Sequence, residues 1–231
     1  MYGLFYDYYY IILVIPAMLI SLWAQFKVKS TYRKFSDVRN TRGITGAYAA
    51  QAVLTHYGIR DVRIEPISGN LTDHYDPKAK VIRLSEGVFN ATSIAAIGIA
   101  CHEAGHAAQH AENYVPIKIR NTMVPVCNIG SRLGVPLALL GYFLGFEPLI
   151  AFGLILYSAI TLFQLVTLPV EFNASRRAIK VIDETNLLYD DEMSGAKKVL
   201  KAAAMTYVAS MLVALASLLR LVLRFSRRSN N

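Results

Sequence analysis

In the stretch "GIACHEAGHAAQH", residues 98–110, two histidines stand four positions apart, with a glutamate directly after the first. On an α-helix such positions lie one above the other on the same face, so His102 and His106 can both reach one metal ion. Glu103 is then placed beside the ion's open side, where it can take a proton from a water molecule. Zinc lowers the pKa of such a water to about 7, and the arrangement is that of metal-dependent peptide hydrolysis. The setting favours a site. The residues leading in, "SIAAIGIAC", are apolar, and burying an unpaired polar side chain among them costs roughly 2 kcal/mol or more.

A catalytic zinc takes three protein ligands and keeps a fourth position open. His110 shares the helix face but stands two turns from His102, which puts it at the surface or behind the ligands. The metzincin extension requires Gly at 109 and His at 112; Gln109 and Glu112 exclude that class. The chain also has no Asp-Gly pair, Gly-x-Ser-x-Gly elbow, Walker loop or dinucleotide fingerprint. Glu171, directly after "LVTLPV", is the candidate third ligand, with Glu112 the next acid to consider. If the apolar segments before Glu171 run out and back, it returns to the side of His106. An acid at that position also reads as a helix N-terminal residue favoured by the dipole. Of the two cysteines, Cys101 points about 100° away from His102 and reads as a small buried hydrophobe. Cys101 and Cys127 form neither a zinc-like spacing nor a disulfide framework. Gly105 leaves room for another backbone to approach the helix.

The elements that position these residues follow from hydrophobic patterning. The chain has 231 residues, 54% of them hydrophobic, and a net charge of +8. Residues 8–26, "YYYIILVIPAMLISLWAQF", are uncharged and long enough to span a bilayer, with tyrosines and Trp23 at the two ends. Asp7 is the only charged residue before them, so the segment reads as an anchor and not as a cleaved signal. Lys27, Lys29, Arg33, Lys34, Arg39 and Arg42 follow at once, a juxtamembrane cluster suited to anionic lipid headgroups. No nucleic-acid-binding module accompanies them, and a nucleic-acid partner is not expected.

Residues 43–57 read as a helix stopped by Gly58. "DVRIEPI" and "KVIRLSE" read as strands separated by the turn-rich "SGNLTDHYDPKA". Thr92 or Ser93 caps the helix that carries the motif to about Glu112. Residues 131–170 read as two apolar helices joined at "GFEP", the first short unless it begins before Arg132. Gly130, Gly134, Gly141 and Gly145 form a small-residue stripe that lets helices approach, within this hairpin or between two copies. A polar helix, "EFNASRRAIKVIDE", and an acidic loop, "YDDEMSG", come next. Residues 202–219 are Ala-rich and only marginally long enough to span, and Arg220, Arg224 and Arg227 share one face. An interfacial helix that does not cross is favoured there.

The expected organisation is an N-terminal transmembrane anchor (1–27), a catalytic region (28–129), a transmembrane hairpin (130–169), a third-ligand helix with the acidic loop (170–201), and a C-terminal hydrophobic helix with a basic tail (202–231).

"CHEAGHAAQH", "LPVEFNASRRA" and "LTDHYDPKAKVIRLSEGVFN" together resemble the YugP-like bacterial membrane zinc peptidases over nearly the whole chain. More distantly the layout is similar to the HtpX-type and CAAX-processing membrane metallopeptidases. The resemblance implies Zn2+ held by His102, His106 and Glu171, Glu103 as the base, and "KVIRLS" as an edge strand that pairs with substrate. The distant relatives carry an Asp four residues after the ligand Glu, where it orients a metal-bound histidine. This chain has Ser175 there, which brings no negative charge; Asn173 and His74 are the possible substitutes.

The expectation is therefore a multi-pass α-helical membrane protein with a small α+β, gluzincin-type zinc peptidase unit. It would hydrolyse protein or peptide substrates at the cytoplasmic face of the bacterial plasma membrane. The alternative is a non-catalytic membrane scaffold or chaperone-like partner with a structural zinc site. The sequence leaves homo- or hetero-oligomerisation open. Cationic loops stay in the cytoplasm, and residues 1–7 and 145–148 contain no Lys or Arg, so they are expected outside.

Overall fold

The structure is a computed structural model and describes residues 7–226. The expectations for residues 1–6 and for Arg227 and the tail beyond it lie outside the described residues. The chain divides into two compact units: Met1–Gln25, Lys118–Leu168 and Thr206–Asn231 form one, and Phe26–Ile117 with Pro169–Met205 the other.

The first unit consists of stretches of four long helices: α1 (Ile15–Ser36), entered through a π-helical turn at Tyr10–Val14, α5 (Val115–Leu144), α6 (Glu147–Glu184) and α7 (Asp190–Ser226). By length and composition all four can cross a membrane. Helix α5 begins at Val115, well before Arg132, so its apolar stretch is not short. Pro125, Pro136 and Pro169 lie inside helices, as bilayer-length helices tolerate when neighbours supply partners. The glycines hold α5 against α6. A Cβ on Gly130 would strike the Leu156 carbonyl, and one on Gly141 would lie 2.7 Å from Ile150 N. Gly145 departs from the expected stripe. Its φ of +66° makes it the turn residue that ends α5, where a side chain would be strained. Near that turn, Ala138 and Ile150 pack with Leu221 and Phe225 of α7. Asp7 accepts from Arg220 Nε at 2.7 Å and Arg224 Nη1 at 2.8 Å, and Arg220 lies over the Tyr10 ring.

The second unit is α+β. Thr45 caps α2 (Gly46–His56) by accepting from Tyr48 N, and Gly58, with φ +67°, takes the chain out of it. Strands β1 (Arg63–Ile67), β2 (His74–Asp76) and β3 (Val81–Ser85) form one sheet in the order β1-β3-β2, parallel for β1/β3 and antiparallel for β2/β3. Two expectations change here. The turn-rich stretch contains a strand, too short for an alternating pattern to reveal. And "KVIRLS" is the central strand, not an edge, because β1 and β2 pair with its two sides. Val81, Ile82, Leu84 and Ser85 are accordingly buried. Asp73 closes the end of the sheet by accepting from Ser85 N at 2.7 Å.

A short helix α3 (Glu86–Phe89) leads to α4 (Ile94–Ala111), capped by Ser93 through Ala96 N. Helix α4 is the core. Ile97, Ala100, Cys101, Ala104 and Ala108 are buried with Leu54 of α2, Leu84 of β3 and Ile182 of α6. A helix apolar on nearly every side is stable only when surrounded, and small residues let its neighbours close in. Gly98 lies against Ala196 of α7, and a Cβ on Gly105 would sit 2.7 Å from the Ala174 carbonyl of α6.

The polar helix expected after residue 170 is the continuation of α6, so Glu171 lies inside a helix and the dipole explanation of its position falls away. The expected acidic loop is the first turn of α7, where Asp190, Asp191 and Glu192 complement the helix N-terminus. Glu192 reaches back to Tyr189 N at 3.0 Å and also accepts from Thr41 N and Oγ1, which ties that turn to the chain ahead of α2.

Candidate metal centre

The site is built where α4 crosses α6 at Gly105. With no side chain at 105, the Ala174 carbonyl approaches closely, and Glu171, one turn earlier on α6, meets the two histidines of α4. Glu171 Oε2 lies 3.2 Å from His102 Nε2 and 3.5 Å from His106 Nε2. The imidazoles stand nearly perpendicular, at 82° with centroids 4.7 Å apart. The three ligand atoms lie within 4.8 Å of one another, the one such His/Cys/Asp/Glu group among the described residues.

These residues fit zinc. Bonds of about 2.0–2.1 Å at tetrahedral angles separate ligand atoms by about 3.3 Å, close to the two nitrogen–oxygen distances observed. Two imidazoles and one carboxylate are a donor set zinc accepts in catalytic sites, leaving one position open. The Glu171 side chain is only 3% exposed, and the histidines 13% and 12%. A carboxylate so buried requires a cationic partner.

Each histidine is held from behind. Ser175 Oγ is 3.1 Å from His102 Nδ1. Gln109 Oε1 is 3.0 Å from His106 Nδ1, a contact the sequence reading missed. Its signal was present: a lone polar residue one turn beyond His106 in the small apolar run "HAAQHA". Asn173 touches neither histidine and bonds Gln109 Nε2 at 3.0 Å instead. His74 does not join the group. Both its ring nitrogens are engaged in the sheet, Nδ1 with Thr72 O and Nε2 with Arg83. His110 packs edge-on against Tyr75, and Glu112 pairs with Arg177 at 2.6 Å.

Glu103 follows His102 on α4 and is half-buried. Burial works against protonation of His106, but the Glu171 hydrogen bond and the Glu103 and Glu171 charges outweigh it and raise its pKa. That attraction for positive charge is also what draws a cation to the site. Cys101, about 100° round α4 from His102, points its thiol at the Ala49 carbonyl, and burial pushes its pKa up. It is the small hydrophobe its position suggested.

Comparison with known proteins points to zinc peptidases. The chain is 50% identical over 216 residues to the Bacillus subtilis (strain 168) protein described as "Putative membrane protease YugP", covering 94% of this chain and 96% of that relative. No solved structure matches it significantly. The profile of the family described as "Putative neutral zinc metallopeptidase" matches residues 10–226, a span that includes the whole His102–His106–Glu171 group. The chain belongs to that zinc metallopeptidase family.

Proposed function

We propose that this protein is a membrane-embedded, gluzincin-type peptidase that hydrolyses peptide bonds of protein substrates, with His102, His106 and Glu171 holding zinc. The observation that carries the reading is the convergence of those three donors, from two helices, near enough to Glu103 for its charge to act on His106. Zinc held there supplies a Lewis acid that brings the pKa of water to about 7 and polarises a substrate carbonyl. Glu103 takes the proton of the attacking water and passes it to the leaving amine nitrogen. Glu171 contributes the one negative charge of the ligand set, and its burial keeps competing water away. Ser175 and Gln109 hold the imidazole rings in place. The expected result for the purified protein is loss of generic peptide cleavage on chelation and recovery on adding zinc. Cleavage that survives complete removal of the metal would refute the reading.

The proposal places this chemistry at the cytoplasmic side of a bacterial plasma membrane. The cationic run from Lys27 to Arg42 supports that orientation, since such clusters are retained inside and bind anionic headgroups. It also makes α7 a crossing helix, contrary to the reading from composition. Arg220 and Arg224 are paired with Asp7 at the start of the first span, which lowers the cost of carrying them to the outer side. A cysteine engineered near residue 30 should resist an impermeant thiol reagent in intact cells, while one placed after Asn231 should react. The opposite pattern would invert the topology, and protection at both sites would return α7 to an interfacial helix.

A further inference from the structure

The hydrogen bonds behind His106 have a direction, and it can be followed from one end. Arg177 only donates. Its Nε reaches Asn173 Oδ1 at 2.7 Å, while its Nη1 pairs with Glu112 at 2.6 Å and its guanidinium lies over the Tyr57 ring. The oxygen of Asn173 must therefore face Arg177, which fixes an amide orientation otherwise ambiguous by a flip. That same oxygen accepts from Gln109 Nε2 at 3.0 Å. The other hydrogen of Gln109 Nε2 goes to the Val170 carbonyl at 2.7 Å, a group that only accepts. Both amide hydrogens of Gln109 are thus taken, and its Oε1 is left to face His106 Nδ1 at 3.0 Å. An amide oxygen cannot donate, so Nδ1 carries the hydrogen and Nε2, the atom turned toward Glu171, keeps the lone pair a metal needs.

We infer that Gln109 is the positioning residue of the metal centre, holding His106 in the Nδ1–H tautomer with its orientation set by Asn173 and Arg177. The inference rests on the zinc site proposed above. His102 is held differently. Ser175 Oγ can both donate and accept, so it supports that ring without selecting a tautomer. Gln109 is fully buried and its amide is satisfied at both ends, so neither a rotation nor a competing water undoes the selection.

The test uses Gln109→Met in the full-length protein, a side chain of similar length whose thioether is at best a weak acceptor and which has no amide to donate to Asn173 or Val170. Zinc affinity is measured by chelator competition, the visible spectrum is recorded with Co2+ in place of zinc, and the metal-free protein is melted to check folding. Losing such a partner of a ligating histidine is expected to weaken zinc binding about 10–100-fold and to alter the Co2+ bands, with the metal-free protein still folding cooperatively. A folded Gln109→Met protein with wild-type zinc affinity and an unchanged Co2+ spectrum would reduce Gln109 to a packing residue, leaving the zinc site itself intact. Independently of any variant, 15N-histidine NMR of the zinc-loaded wild type should show His106 bonded to metal through Nε2 with a protected proton on Nδ1. Metal on Nδ1 overturns the inference. A wild type that binds neither zinc nor Co2+ would instead bring down the metal site on which it rests.

Discussion

Glu103→Gln is expected to reduce peptide cleavage by about 10²–10⁴-fold while zinc content per protein stays at the wild-type value. The two readouts separate because Glu103 is not in the cluster of three candidate ligands: it follows His102 on the same helix, and the role proposed for it is to move a proton. Glutamine matches it in shape but cannot take a proton from water. The loss corresponds to about 3–5 kcal/mol of transition-state stabilisation, within what one positioned base supplies. Zinc measured on purified protein, with cleavage of any substrate the wild type accepts, decides the matter. A variant that turns over at the wild-type rate would end the peptidase reading and leave the scaffold with a structural zinc.

Glu171→Gln is expected to act on the metal first and on activity as a consequence. The carboxylate is almost completely buried, lies within 3.5 Å of both imidazole Nε2 atoms, and brings the sole negative charge to the ligand set. An amide in its place keeps the volume and removes that charge. Zinc affinity should fall by more than the 10–100-fold typical of losing an outer partner. His102→Ala and His106→Ala should behave in the same way, and each variant needs a melting curve because metal binding and folding are coupled. Full zinc occupancy in a folded Glu171→Gln protein would place the third ligand elsewhere. Glu112 is a poor substitute, since Arg177 already holds it.

The sequence alone determined whatever depends on spacing along one helix. His102 and His106 share a face because they are four residues apart, and Ser93 starts the helix that carries them. The apolar stretches marked four hydrophobic helices, although two of them read as short or marginal and prove long, and the space left by Gly105 was readable as a site of close approach. What the sequence could not determine lies between elements. The change from apolar to polar residues after Val170 reads as the start of a separate helix, yet α6 runs on through it and through Pro169, because in a long packed helix a proline removes one hydrogen bond without ending the helix. Strand β2, three residues long, carries too little periodicity to be seen, and its pairing makes β3 the centre of the sheet where the resemblance implied an edge. Likewise, only the crossing of α4 with α6 shows that Ser175 reaches His102, while His74 reaches neither histidine. Ser175 and His102 are 73 residues apart in the chain. Ring hydrogen bonds are set by where two helices touch, and that contact depends on packing volumes no local pattern encodes.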